Sequence, residues 1–118
     1  MNYEKARKML DMKVINFKDV KPIEILPGIY RHTLVYNNNV MLVYFDLRKG
    51  ADLPIHSHLH TQMGYVVKGK LDFYIYGKTY HLKDGDSYFA PSNTEHGAKV
   101  IENCIVIDVF NPAREDYK

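Results

Sequence analysis

Tyr3, Ala6, Met9 and Leu10 recur at intervals of three and four, the spacing of one helix face, so the first dozen residues predict a short amphipathic helix with a cationic outer side. From Val14 onward the pattern changes. Short runs of Val, Ile, Tyr, Phe and Leu are broken by turn-forming residues before any reaches helix length. Stretches 29–36, 40–47, 65–68, 70–76, 78–81, 86–90, 97–100 and 104–110 read as strands. Between them Asn37-Asn38-Asn39, Lys68-Gly69-Lys70, Tyr76-Gly77-Lys78 and Lys83-Asp84-Gly85-Asp86 tolerate tight turns at positive φ. Such a series predicts an all-β sandwich or barrel, and closure is favoured because it removes exposed strand edges. Positions 1–118 read as one domain, with 1–13 as an N-terminal extension.

Charge narrows the function classes without altering this picture. Sixteen basic residues stand against 14 acidic ones, a net +2 spread evenly, so there is no basic stripe for nucleic acid. No apolar run approaches the roughly 18 positions of a membrane span, and the opening MNYEKARKML lacks a signal peptide's apolar core. The single cysteine, Cys104, has no partner for an internal disulfide. These features predict a cytoplasmic protein with neither nucleic acid nor membrane as partner.

The chemistry is concentrated in His56-Ser57-His58-Leu59-His60-Thr61-Gln62, with His96 at the mouth of a later strand. In an extended chain side chains two apart share a face, so His56 and His58 can present both imidazoles to one ion. Gln62 can add a carbonyl oxygen and His96 a third nitrogen from across a barrel. The competing reading is a solvated loop that happens to be rich in histidine.

The intervals favour the ion, and through them the chain resembles the cupin superfamily. Gly50, His56, His58, Gln62 and Gly69 match the first cupin motif, with Gln62 where the motif has Glu. Gly85, Pro91 and His96 match the second, with Asn93 in place of a Gly and Val100 in place of an Asn. The resemblance implies a double-stranded β-helix (a jelly-roll barrel), a homodimer, and a divalent metal on His56, His58, Gln62 and His96. Zn, Ni, Mn, Fe and Cu are not separable by these ligands. A neutral amide in place of a carboxylate leaves the site one positive charge richer. That favours Lewis-acid chemistry over oxygen-dependent oxidation while weakening the hold on the metal. Strict alternation places His60 on the face of His58; a bend before Gln62 would turn it away, behind the ligands or towards a substrate.

Along the last strand Cys104, Val106, Asp108 and Phe110 alternate with Ile105, Ile107 and Val109, and both faces are largely apolar. An unpaired carboxylate there costs several kcal/mol or takes up a proton, so Asp108 requires a partner, a role at the metal, or a wet cavity. An ion pair or a dimer contact would serve equally. The ending Asp108-Val109-Phe110, Pro112 and Arg114-Glu115-Asp116 resembles small cupins of pectin and alginate breakdown, which convert 4,5-unsaturated uronates to open-chain 4-deoxy-5-keto sugar acids. The likeness extends through Gly28 to Arg31 and Gln62 to Val67. It implies Asp108, Phe110 and Arg114 as catalytic residues: a proton carrier, an apolar wall for the sugar, and a fork for the carboxylate. Arg114 has a plainer reading as a surface pair with Glu115 or Asp116. The alternatives are another metal-dependent cupin enzyme, an isomerase or dioxygenase, and a cupin that binds a small acid without catalysis. The tyrosines read as packing residues and Cys104 as a small buried hydrophobe.

Overall fold

The structure is a computed structural model that describes all 118 residues. Helix α1 (Tyr3–Met9) is capped by Asn2, whose side chain accepts from the Lys5 N–H, and none of its residues is buried. After a 3₁₀ turn at Phe17–Asp19 come β1 (Ile23–Leu26), β2 (Ile29–Tyr36), β3 (Met41–Leu47), β4 (Asp52–His56), β5 (Thr61–Ile75), β6 (Lys78–Lys83), β7 (Ser87–Ala90) and β8 (His96–Asn111). A second 3₁₀ turn, Glu115–Tyr117, ends the chain.

Two long strands organise everything else. The first half of β5 pairs with the second half of β8, from Thr61–Asn111 to Val66–Val106; β3 flanks it on β8 and β7 on β5. The other halves pair from Leu71–Val100 to Ile75–His96, flanked by β4 and β6. The result is two facing antiparallel layers sharing β5 and β8, the all-β jelly roll expected from the sequence. Strand alternation supplies the core: Met41, Val43, Phe45 and Leu47 of β3 face Val66, Val106 and Phe110 inside.

Several expected boundaries differ. Stretches 65–68 and 70–76 are one strand, because Lys68-Gly69-Lys70 makes a bulge rather than a reversal. Gly69 is required there: its φ is +104°, and a Cβ would strike the Asn103 carbonyl and Cys104. Stretches 97–100 and 104–110 are likewise halves of β8. Strands β1 and β4 were not predicted. Pro54 hides β4 from a strand pattern, yet it is tolerated because β4 pairs only with β8 and bulges between Leu53 and His56. No helix is long and apolar enough to cross a membrane.

Candidate metal centre and active site

His56 is the last residue of β4 and pairs with His96, the first of β8, which sets their rings 4.5 Å apart between centroids. His58 lies beyond the strand, in a bend held to the 91–94 turn. There the Asn93 N–H donates to the His58 carbonyl at 2.8 Å and Ser92 Oγ to the Leu59 carbonyl at 2.5 Å. Asn93 adopts φ +59°, which explains how Asn stands where the family motif has Gly: both accept the left-handed conformation. The expected extended His-x-His geometry therefore holds for His56 alone, and a turn delivers His58.

Each of the three imidazoles donates its Nδ1–H to a nearby carbonyl: His56 to Pro54 at 2.9 Å, His58 to His60 at 2.8 Å and His96 to Thr94 at 2.8 Å. These bonds fix the tautomers and leave Nε2 free on every ring. One ring nitrogen from each histidine lies within 4.8 Å of the others. His96 Nε2 is buried with no partner. Burial pushes the His96 pKa down to about 4, and burial followed by the Arg114 charge lowers that of His58, so both rings are neutral at pH 7.

Gln62, 7% exposed, turns its Oε1 to His58 Nε2 at 3.1 Å and donates its Nε2–H to Asp108 Oδ2 at 2.7 Å. With the His58 proton committed to Nδ1, two lone-pair atoms face each other across that 3.1 Å gap. A cation held by these atoms would relieve the repulsion and would also give the orphaned Nε2 of His96 a partner. Three imidazoles and an amide oxygen are thus a donor set that fits a divalent transition metal.

Residues 43–110 match the Cupin domain family. The chain belongs to the cupin family. It is 35% identical over 96 residues to the pectin degradation protein KdgF of Dickeya dadantii, covering 80% of this cupin and 87% of that protein. KdgF from Halomonas sp. superposes with a TM-score of 0.85 at 32% identity, over 90% of this chain and 98% of that one. An RmlC-like cupin from Shewanella frigidimarina gives 0.85 at 36%, over 88% and 94%.

Beside the histidines a cavity of about 60 Å³ reaches Asp108, Phe110, Arg114 and Tyr117, with His56, Gln62 and His96 on the same lining. Asp108, 2% exposed, has the partners its burial demands: Tyr88 Oη donates to Oδ1 at 2.5 Å and Gln62 to Oδ2. Burial raises its pKa to about 7, against the lowering effect of those two bonds. Phe110 walls the cavity, 6.0 Å from the His58 ring centroid. Arg114 lines the cavity, and its guanidinium forks onto Asp116 at 3.2 and 2.9 Å. His60 does not turn out to solvent: its half-buried ring sits 5.5 Å from His58, with Nδ1 unpartnered.

Sequence reasoning missed Tyr88 and Tyr117, which line the cavity, and Gly64, which lies between Tyr88 and Asp108. In this cupin Gly64 pairs with Asp108 on one side and Tyr88 on the other. A Cβ at Gly64 would fall onto Asp108 Oδ1 and the Tyr88 ring, so its absence lets the two groups meet across β5. Cys104 is a buried hydrophobe as expected, its thiol pushed up to about 11 by burial.

Proposed function

We propose that this cupin holds a divalent ion on His56, His58, Gln62 and His96 and opens the ring of a 4,5-unsaturated uronate, giving the linear 4-deoxy-5-keto sugar acid. The observation that carries the reading is one cavity lined by His56, Gln62 and His96 together with Asp108, Phe110 and Arg114. The two KdgF relatives, one of them named for pectin degradation, support a sugar-acid substrate. When bound, the ion supplies Lewis acidity towards a sugar oxygen.

The reaction is an isomerisation. The C1 hydroxyl loses its proton as the bond from C1 to the ring oxygen breaks, that oxygen becomes the C5 ketone, and C4 gains a proton. Asp108 moves the proton, being the carboxyl in the cavity wall hydrogen-bonded to Gln62. Arg114 takes the uronate carboxylate in exchange for Asp116, which is solvent-exposed and so easily given up. Phe110 shields one side of the sugar.

Loss of the enol ether's ultraviolet absorbance measures this directly. Purified protein is expected to accelerate the decay and to carry a transition metal by elemental analysis, whereas His96→Ala is expected to lose both. A wild-type decay no faster than buffer would remove the assignment.

The cytoplasm is the proposed compartment and a homodimer the proposed assembly. Met63, Tyr65 and Val67 of β5 with Phe89 of β7 leave an exposed apolar patch on the outer sheet face that suits such pairing. Light scattering at the mass of one chain would refute the dimer.

A further inference from the structure

Arg31 lies on the inward face of β2, two residues after buried Ile29, and is only 7% exposed. Its Nε has no hydrogen-bond partner, and it takes part in none of the chain's ion pairs. A guanidinium cannot shed its proton to escape burial, so its charge persists in the folded chain. Within the chain its guanidinium meets the ring of Tyr117, whose centroid lies 4.5 Å from Arg31 Cζ. A cation over an aromatic face recovers only part of what removal from water costs. Arg31 therefore lacks an anion.

The same ring carries a second guanidinium, Arg114, at 3.9 Å. The two arginines differ in one respect: Arg114 has a carboxylate on its fork, from Asp116, and Arg31 has none. Tyr117 lines the cavity beside Phe110 and Arg114, and it is fixed by a short C-terminal turn whose carbonyl accepts from Thr33 Oγ1 at 2.7 Å. The cavity it bounds, about 60 Å³, holds a few waters at most and no sugar ring. The Tyr117 ring is the lining group that both guanidiniums flank, so a uronate that displaced it would enter a space bordered by both.

We propose that Arg31 and Arg114 together form a carboxylate-binding site, with the Tyr117 ring holding its place in the free chain. This rests on the sugar-acid reading of the cavity and assigns the recognition of the acid to two arginines, one on β2 and one on the C-terminal tail. The site selects uronates over neutral sugars because the second guanidinium goes unneutralised unless the ligand brings an anion.

Titration calorimetry of the purified protein with D-galacturonate and with D-galactose tests this, with the Arg31 Nε–H followed by NMR. Galacturonate is expected to bind in preference to galactose and to shift that resonance. Arg31→Met should weaken galacturonate roughly 10- to 100-fold, the range for one charge-assisted contact, and leave galactose unchanged. Tyr117→Ala should tighten galacturonate by removing the competitor. If Arg31→Met disrupts folding, Arg31→Lys, which keeps the charge without the fork, should still weaken galacturonate several-fold. Equal affinity in wild type and the Arg31 variants, no galacturonate binding by wild type, or weaker binding after Tyr117→Ala would each overturn the proposal. Ring-opening activity is scored separately. Activity with an Arg31-independent KM sinks this inference alone, while Arg31-dependent binding without turnover sinks only the proposed reaction.

Discussion

Asp108→Asn is expected to slow decay of the unsaturated uronate by roughly 10²- to 10⁴-fold, the usual contribution of a positioned proton carrier, with metal content unchanged. The amide keeps the size and polarity of the carboxyl but cannot relay a proton. In metal-free protein the same change acts on stability with a defined pH signature. Unfolded, the carboxyl titrates near 3.8; folded, burial holds it at about 7. Below pH 3.8 both states keep the proton and Asp108 costs nothing by titration. As pH rises towards 7 the unfolded chain releases a proton that the folded chain retains, so wild type loses stability, and the loss levels off above the folded value. The variant has no such proton. Its stability relative to wild type should climb across this window by a few kcal/mol, at about 1.4 kcal/mol per pH unit of displacement. Urea unfolding in chelator at about pH 4.5 and pH 8 measures it. The histidines contribute equally to both proteins and cancel. Parallel pH curves would show that Asp108 is not held protonated, and an active variant would take the proton from another group.

Gly64→Ala is the second large expected effect, although it adds only one methyl group. That methyl has to occupy the space where Tyr88 meets Asp108, so the strand shifts or the carboxyl loses its phenol donor. Overpacking of this kind costs about 1–3 kcal/mol, and a lost hydrogen bond to a buried carboxyl adds a comparable amount. The chain should lose about 3 kcal/mol or more in chemical unfolding, with ring-opening activity close to that of Asp108→Asn. A double-mutant cycle with Tyr88→Ala separates the causes. Removing the ring should recover much of the stability, giving strong coupling, whereas additive losses would show that Gly64 acts elsewhere.

How much of this was legible in the sequence depended on how far apart the partners lie. His56, His58, Gln62 and His96 were readable because two motifs place them at fixed intervals within short segments. The alternation of 104–110 put Asp108 and Phe110 on one face, and both are indeed buried on it. What stayed hidden was what Asp108 would meet. Tyr88 looks like any strand tyrosine until β7 and β8 are laid on either side of Gly64. Arg31 and Tyr117 lie far apart in the chain and meet only when the tail docks on β2. Local signals also misled at Gly69, where a turn residue marks a bulge, and at Pro54, where a strand breaker sits on an edge that needs no donor. The burial of residues 101–103 is equally uninformative, since all three are exposed at the middle of β8.

The antiparallel ribbon of β5 and β8 would be roughly 45 Å long if laid flat at ordinary strand rise. Gln62 sits near one end, paired with Phe110, and His96 at the other, paired with Ile75. His58 touches both, at 3.1 Å from the Gln62 oxygen and 4.8 Å between ring centroids from His96. An ion gripped there would be a clasp on a curled band, and its binding energy would add to the work required to uncurl it.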